Sequence, residues 1–392
     1  MDTLMMKKFG LTLLLFLFSL VFTCFLGEFL VRLIAPQRLV FSPAMFVSDD
    51  TLVYKMQPNY HASWSNFEFE GTVTTNAIGF REREIGPKQQ GTLRILGLGD
   101  SFTFGNGVNQ DSTFLKHLER CLNGLGNRTN EVLNFGIPGY SVLQEYRLWR
   151  MEQATLQPDV VLLAFFVGND FVDSADLYDS TGRPTIRIVD GHMISNKASD
   201  VEYSLIRRYT KTVRYYLSTH SHFYVLLRNR GSELLSKLHL HQFTYPPEFC
   251  EQTYSPRMET AWNQIKSILT EFSDEVRQRN QRLVVLIIPT SYQVYSESWN
   301  NYLKGLELDP AQYDLDKPQR ILKDFLREKN VECVDVLPVL RSKISGPPLF
   351  FTLDSHLTPE GHRVVGEVLC DYLSHGEQHA SVAEGGPSRS GL

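Results

Sequence analysis

Positive charge is not in excess in this chain. Its 39 lysines and arginines are outnumbered by 44 aspartates and glutamates, giving a net charge of −5. A nucleic-acid partner normally requires a strongly basic domain, so none is expected. Cysteine is scarce: Cys24, Cys121, Cys250, Cys333 and Cys370 include no CxxC pair and no Cys/His alternation of a metal site. Four of them follow the N-terminal apolar run, enough for two disulfides. Buried free thiols are the expected state, because a core of this size needs no staples. His192, His220, His222, His239 and His241 show no metal-ligand spacing either, so neither a metal nor an organic cofactor is expected. Internal repeats are absent. Long uncharged runs are absent too, with one exception.

That exception is residues 9–26, an apolar stretch of 18 residues, about the minimum for a helix crossing a bilayer core. Lys7 and Lys8 precede it and favour a cytoplasmic N-terminus, while Arg32 and Arg38 follow it and weaken the asymmetry. The run is longer than the apolar segment of a usual signal peptide, and no small-x-small cleavage site follows. Thr23 before Cys24 makes a poor lipoprotein site. Residues 1–35 are therefore read as an uncleaved single-pass anchor. Everything after about Pro36 is placed outside the cytoplasm, in a periplasmic or extracellular position.

Residues 36–90 mix aromatics, prolines and polar residues without a long period and read as an irregular lead-in packing on the main domain. From Thr92 apolar strands alternate with amphipathic helices. Strands are expected at 94–98, 131–135, 158–166, 282–289 and 331–337. Helices are expected at 112–125, 142–154, 258–279, 318–329 and 359–373. Such alternation implies a parallel sheet with helices on both faces, over residues 91–374. It is interrupted at about 171–256, where helices at 203–217 and 223–238 are expected and the segment reads as a cap over the carboxyl edge of the sheet. The cap is rich in cations (Arg207, Arg208, Lys211, Arg214, Arg228, Arg230, Lys237), which read as a solvated face or a contact for anionic groups. Residues 375–392 are rich in Gly, Ser and Pro and are expected to be disordered.

In an open parallel sheet, ligands sit beyond the carboxyl ends of the strands. Four polar segments fall at that edge. Gly99-Asp100-Ser101 follows the first strand and Asn134-Phe-Gly136-Ile-Pro-Gly139 the second. Gly168-Asn169-Asp170 follows the third, and Asp354-Ser-His356-Leu-Thr-Pro-Glu-Gly361-His362 opens the last helix. Their convergence outweighs the bland reading of each as a cap or a turn.

These four blocks resemble the SGNH (GDSL-type) hydrolase superfamily over about residues 92–374. Glu28-Phe-Leu-Val-Arg32 and Asn76-Ala-Ile-Gly79-Phe-Arg81 look like a bacterial, membrane-anchored branch of it. The resemblance implies a three-layer αβα sandwich with a parallel, flavodoxin-like sheet. It also implies an esterase, with Ser101 as nucleophile, His356 as base and Asp354 orienting the imidazole. A hydroxyl needs such a base, and an imidazole exchanges protons near neutral pH. The Ser101 and Gly139 backbone N–H groups and the Asn169 side-chain amide are the oxyanion donors implied. Two positions depart from the family pattern: Phe102 replaces a leucine, and one residue rather than two separates the acid from the histidine. Asp354 must then curl back, or a backbone carbonyl takes its place. His362 competes as the base, and Asp170 reads as orienting Asn169 or as structural.

The resulting expectation is a membrane-anchored serine esterase acting on O-acetyl or other short-chain esters, with an acylated glycan or lipid as substrate. Two alternatives remain: an O-acyltransferase acting on a cell-surface polysaccharide with the same residues, and a catalytically silent anchored binding protein. Nothing in the sequence bears on oligomeric state.

Overall fold

A computed structural model describes residues 3–41, 43–126, 128–195, 205–237 and 247–384. The chain forms two compact units. One comprises Pro43–Ser63, Gly71–Val201 and Gln242–Leu392; the other comprises Met1–Ser42, Trp64–Glu70 and Glu202–His241.

The larger unit is built on five parallel strands, β5 (Leu93–Gly99), β6 (Asn130–Gly136), β7 (Val160–Phe166), β10 (Arg282–Ile288) and β11 (Glu332–Asp335). Their spatial order is β6-β5-β7-β10-β11. This is the 2-1-3-4-5 order of flavodoxin-like sheets, whose switch point lies between the first and third strands. Every residue of β7 is buried, as expected for a central strand covered on both faces. One face receives α3 (Phe114–Gly124), α12 (Leu337–Ser342) and α13 (Pro359–Glu384). There Phe114, Leu118, Leu340 and Val365 join Ile95, Leu162 and Leu286 in one core cluster. The other face receives α4 (Val142–Leu156) and α8 (Pro256–Gln278), with the Trp149 and Tyr146 rings 5.2 and 5.0 Å from that of Phe272. Around them run the short α2 (Ser101–Phe104), α5 (Asp170–Asp173), α9 (Ser291–Val294) and α10 (Ser296–Gly305), and the longer α11 (Lys317–Glu328).

Four expectations need correcting. The lead-in is not irregular: β1 (Phe46–Asp49) and β2 (Val53–Met56) pair antiparallel, and β3 (His61–Ser65) and β4 (Glu70–Thr74) form a second small sheet. Free thiols are not the state of all four cysteines, since Cys121 on α3 and Cys370 on α13 form a disulfide, with 6.2 Å between Cα atoms. They lie 249 residues apart, so only the packing of the first and last helices of the sheet brings them together. Cys250 and Cys333 remain free. The tail is helical as far as Glu384, because α13 runs on past residue 373; 385–392 lie outside the described residues.

The insertion, finally, is not one cap. Its first part holds a hairpin, β8 (Ile186–Val189) and β9 (His192–Ser195), within the larger unit. Its middle, α6 (Leu205–His220) and α7 (His222–Lys237), clusters with the N-terminal helix α1 (Thr3–Ile34) in the smaller one. His239 and His241 lie outside the described residues.

Candidate active site

β5 delivers Ser101. Gly99 ends the strand, and Asp100 caps α2 by accepting the Phe102 N–H at 2.8 Å. Ser101 is thus the first residue of a helix, where a backbone N–H has no partner within the helix. Gly136, at the end of β6, lies beside the chain that follows: a Cβ there would stand 2.3 Å from the Phe104 nitrogen, so only glycine fits. Asn134 ties the two segments, its amide donating to the Thr103 carbonyl at 3.0 Å while its oxygen accepts the Gly136 N–H.

His356 arrives from the loop before α13. His356 Nε2 lies 2.7 Å from Ser101 Oγ, and its Nδ1 lies 2.5 Å from Asp354 Oδ1. All three side chains are largely screened from water, and the Ser101–His356 contact is buried. Ser355 is the residue that lets a carboxylate two positions away curl back, because its φ of 67° lies in the left-handed region. The turn is closed by the Phe351 N–H donating to the His356 carbonyl at 2.8 Å and the Ser355 N–H to the Phe351 carbonyl at 3.1 Å. A β-branched residue is strongly disfavoured at such a φ. Ser355→Val is therefore expected to lower kcat by about 100-fold or more, toward the effect of losing the acid, and Ser355→Gly to stay near wild type. Steady-state hydrolysis of a short-chain ester checks both. Phe102, the departure from the family leucine, lies under the imidazole with ring centroids 4.8 Å apart.

Asn169 follows β7 and donates its side-chain amide to Asp100 Oδ2 at 3.2 Å, leaving its own oxygen buried without a hydrogen-bond partner. Burial pushes the Asp100 carboxyl up to about 6, against the opposing pull of the Phe102 N–H, nearby His356 and the Asn169 amide. Asp170 turns away and accepts the Phe166 N–H at 2.7 Å, and burial raises its carboxyl well above the usual range. Gly139 has φ 79°, and its loop is fastened to the end of β5 by the Ile137 N–H donating to the Gly99 carbonyl at 3.0 Å. Tyr54 from the lead-in donates to the Pro138 carbonyl. Met193 from the β8–β9 hairpin stands over Gly139, its Cε 3.2 Å from where a Cβ would be.

The structure therefore brings Ser101, His356 and Asp354 into one hydrogen-bonded series, with the Asp100–Asn169 pair and the Gly139 loop alongside. His362 is elsewhere: buried, stacked on Phe114 and accepting the Phe114 N–H through Nδ1 at 3.2 Å. Burial above all, with His117, Arg81 and His356 nearby, pushes its imidazole down to about 3. An unfolded histidine titrates near 6.5, so between the two values the unfolded chain binds a proton that the folded chain refuses. Stability is accordingly lost as pH falls through that window. Urea unfolding at pH 7 and pH 4 is expected to give a loss about 3 kcal/mol smaller for His362→Asn than for the wild type.

Three residues about the site have no role legible in the sequence. Asn106, whose Nδ2 lies 3.5 Å from His356 Nε2, sits in no recognised block. Asp100 appeared only as part of a tripeptide. Arg81 belonged to a familiar string without a role; buried to 1% exposure, it donates to the carbonyls of Phe104 (3.0 Å), Gly105 (2.9 Å), Val108 (2.7 Å) and Thr72 (3.2 Å). Among the described residues, no group of three or more His, Cys, Asp or Glu side chains is placed to hold a metal ion.

A serine hydroxyl, an imidazole and a carboxylate in hydrogen-bonded series, at the carboxyl edge of a 2-1-3-4-5 parallel sheet, have the chemistry of a serine hydrolase. The model of the GDSL-like lipase/acylhydrolase family matches residues 98–364. That is more than half of the chain, which belongs to this family and is an ester-hydrolysing enzyme. No curated protein matches it. Similar solved structures include a lipolytic protein of the G-D-S-L family from Desulfitobacterium hafniense DCB-2, at 14% identity over 71% of this chain and 98% of that one, with a TM-score of 0.37. They also include the esterase EstA from Pseudoalteromonas sp., at 11% identity over 73% and 98%, TM-score 0.37. A catalytic mutant of the acetylxylan esterase Axe2 from Geobacillus stearothermophilus is similar at 14% identity over 73% and 94%, TM-score 0.37.

Proposed function

We propose that this is a membrane-anchored serine esterase, working outside the cytoplasm, that removes short acyl groups from a hydroxyl-rich alcohol through an acyl-Ser101 intermediate. The observation that carries it is the 2.7 Å approach of His356 Nε2 to Ser101 Oγ with Asp354 behind the ring. His356 takes the hydroxyl proton as Oγ bonds to the ester carbonyl carbon. The carbonyl oxygen becomes an oxyanion, offered the N–H groups of Ser101 and Gly139 and the Asn169 amide. Collapse breaks the bond to the alcohol, which leaves with the proton from His356. Water, deprotonated by the same imidazole, then attacks the acyl carbon and releases the acid and Ser101.

Three further features support the setting. The 26-residue span Phe9–Ile34 is long and apolar enough to cross a bilayer, and none of its apolar window is buried. The Cys121–Cys370 disulfide fits an oxidising compartment. A groove of about 440 Å³ lined by Ser291, Tyr295, Glu297, Phe350, Phe351 and Thr352 adjoins the loop that carries Asp354 and His356. Its hydroxyls, carboxylate and aromatic rings suit a sugar better than a long acyl chain. A groove that seats an alcohol as leaving group can seat one as acceptor, which is what favours acyl transfer as a second reading.

Membranes carrying the full chain, treated with a fluorophosphonate probe, are expected to label the wild type and not Ser101→Ala. Equal labelling of the two would remove Ser101 as nucleophile. Partition of the acetyl-enzyme between water and added glycan separates hydrolysis from transfer.

A further inference from the structure

The long apolar helix of the smaller unit carries one acidic residue, Glu28. Glu28 lies within the candidate span of α1, where an unpaired carboxylate would be costly in a bilayer. It is not unpaired. Its oxygens accept the Ser221 hydroxyl at 2.7 Å, the His222 N–H at 3.1 Å and the Phe223 N–H at 2.9 Å, so it caps the first turn of α7. Four residues on, Arg32 bonds Glu28 and donates to the His220 carbonyl at 2.7 Å, holding the last turn of α6. Helix and junction approach closely, since a Cβ on Gly27 would stand 3.0 Å from the Phe223 ring. Beyond the span the Gln37 N–H donates to His222 Nδ1 and the Val40 N–H to the Ser218 carbonyl.

These bonds fix the height of the α6–α7 junction on the span. At 1.5 Å per residue, Glu28 and Arg32 stand about 3 and 9 Å beyond Leu26, the end of the uncharged run. The headgroup layer on each side of the hydrocarbon is roughly 5–8 Å deep, so the junction falls at its level. Val213 and Tyr216, 58% and 60% exposed, lie three residues apart on one side of α6, within two turns of that junction. Tyr216 stacks on His220 with ring centroids 4.4 Å apart. The α6 sequence contains Arg207, Arg208, Lys211 and Arg214 and no acidic residue. Exposed tyrosines at the end of a span, on a helix with cations only, are what an anionic interface retains.

We propose that α6 is an interfacial helix, with Val213 and Tyr216 seated among the headgroups of an anionic phospholipid surface, held there by Glu28 and Arg32 of the helix that crosses the same bilayer. This rests on the anchor reading above.

The test uses the full chain in phosphatidylcholine/phosphatidylglycerol vesicles, with Cys24→Ser and Cys333→Ser as background. An environment-sensitive fluorophore is placed at Tyr216→Cys, at Arg214→Cys on another side of α6, or at Phe18→Cys inside the span. The label at 216 is expected to be quenched by nitroxide-bearing lipid and to be about fivefold less accessible to aqueous iodide than the label at 214. If 216 is as open to iodide as 214 while 18 is quenched by lipid, the anchor stands and the interfacial helix falls. If 18 is open to iodide, the anchor reading falls and takes the proposal with it. Protection of 216 without lipid quenching would mean that protein covers this face, and also overturns the proposal.

Discussion

Ser101→Ala is expected to lower kcat for a short-chain ester by roughly ten-thousand- to a million-fold, with KM and thermal stability little changed. In the proposed reaction the hydroxyl oxygen forms and breaks the covalent bond, and no neighbouring side chain can replace it. Asp100 is held by the Phe102 N–H and the Asn169 amide, and Asn106 is no nucleophile. His356→Ala should cost about as much, and the double variant scarcely more, because the two act as one unit and their losses do not add. Asp354→Asn is expected to fall by about ten-thousand-fold, since an amide at 2.5 Å from Nδ1 favours the wrong tautomer. Any of these variants retaining a tenth of wild-type kcat would remove that residue from the reaction. The thermal midpoint should barely move for Ser101→Ala, as the hydroxyl contributes no hydrogen bond to the core apart from that to His356.

What could be read from the chain beforehand was the part governed by local periodicity. β7 reads as a run of apolar residues because both of its faces are covered, and α3, α4 and α8 each begin at a Ser or Thr that caps them. The positions of Ser101 and Asn169 just past strand ends were legible for the same reason, each following an apolar run with a break, and His356 was legible as the opening of the last helix. Pairings between distant segments were not legible. Cys121 and Cys370 reveal nothing of each other across 249 residues, and the short β1 and β2 have too few residues to establish a period of two. The association of α6 and α7 with α1 includes a glutamate meeting a helix end about 190 residues later, which no window detects. Ser355 also escaped notice, because serine carries no sign of a positive φ; only the short spacing between Asp354 and His356 hinted that the backbone there must be unusual.

Arg81→Met is expected to be among the most damaging substitutions outside the Ser–His–Asp group, lowering stability by about 3–4 kcal/mol and the thermal midpoint by about 10 °C. The guanidinium lies beneath the loop that follows α2, its fork spread over the carbonyls of Phe104, Gly105, Val108 and Thr72. The guanidinium carbon, Cζ, also lies 4.9 Å from the Phe104 ring centroid. Each buried carbonyl that loses its charged donor costs about 1–3 kcal/mol, and relief of the buried charge returns part of the sum. That charge is costly: burial pulls the guanidinium down to about 10. The string before it explains how the side chain is delivered. Asn76 Oδ1 accepts the Phe80 N–H at 2.9 Å, Gly79 takes φ 89° where a Cβ would meet the Met56 carbonyl, and Phe80 stacks on Phe135 at 3.8 Å. Arg81→Lys should recover only part of the loss, since an ammonium on a flexible stem cannot span four acceptors as a planar fork does. Because Phe104 and Gly105 close the helix that Ser101 opens, both variants should lose kcat more than they raise KM, even at temperatures where they remain folded. Calorimetry alongside ester hydrolysis checks this, and a wild-type thermal midpoint for Arg81→Met would show that the lead-in does not support the nucleophile.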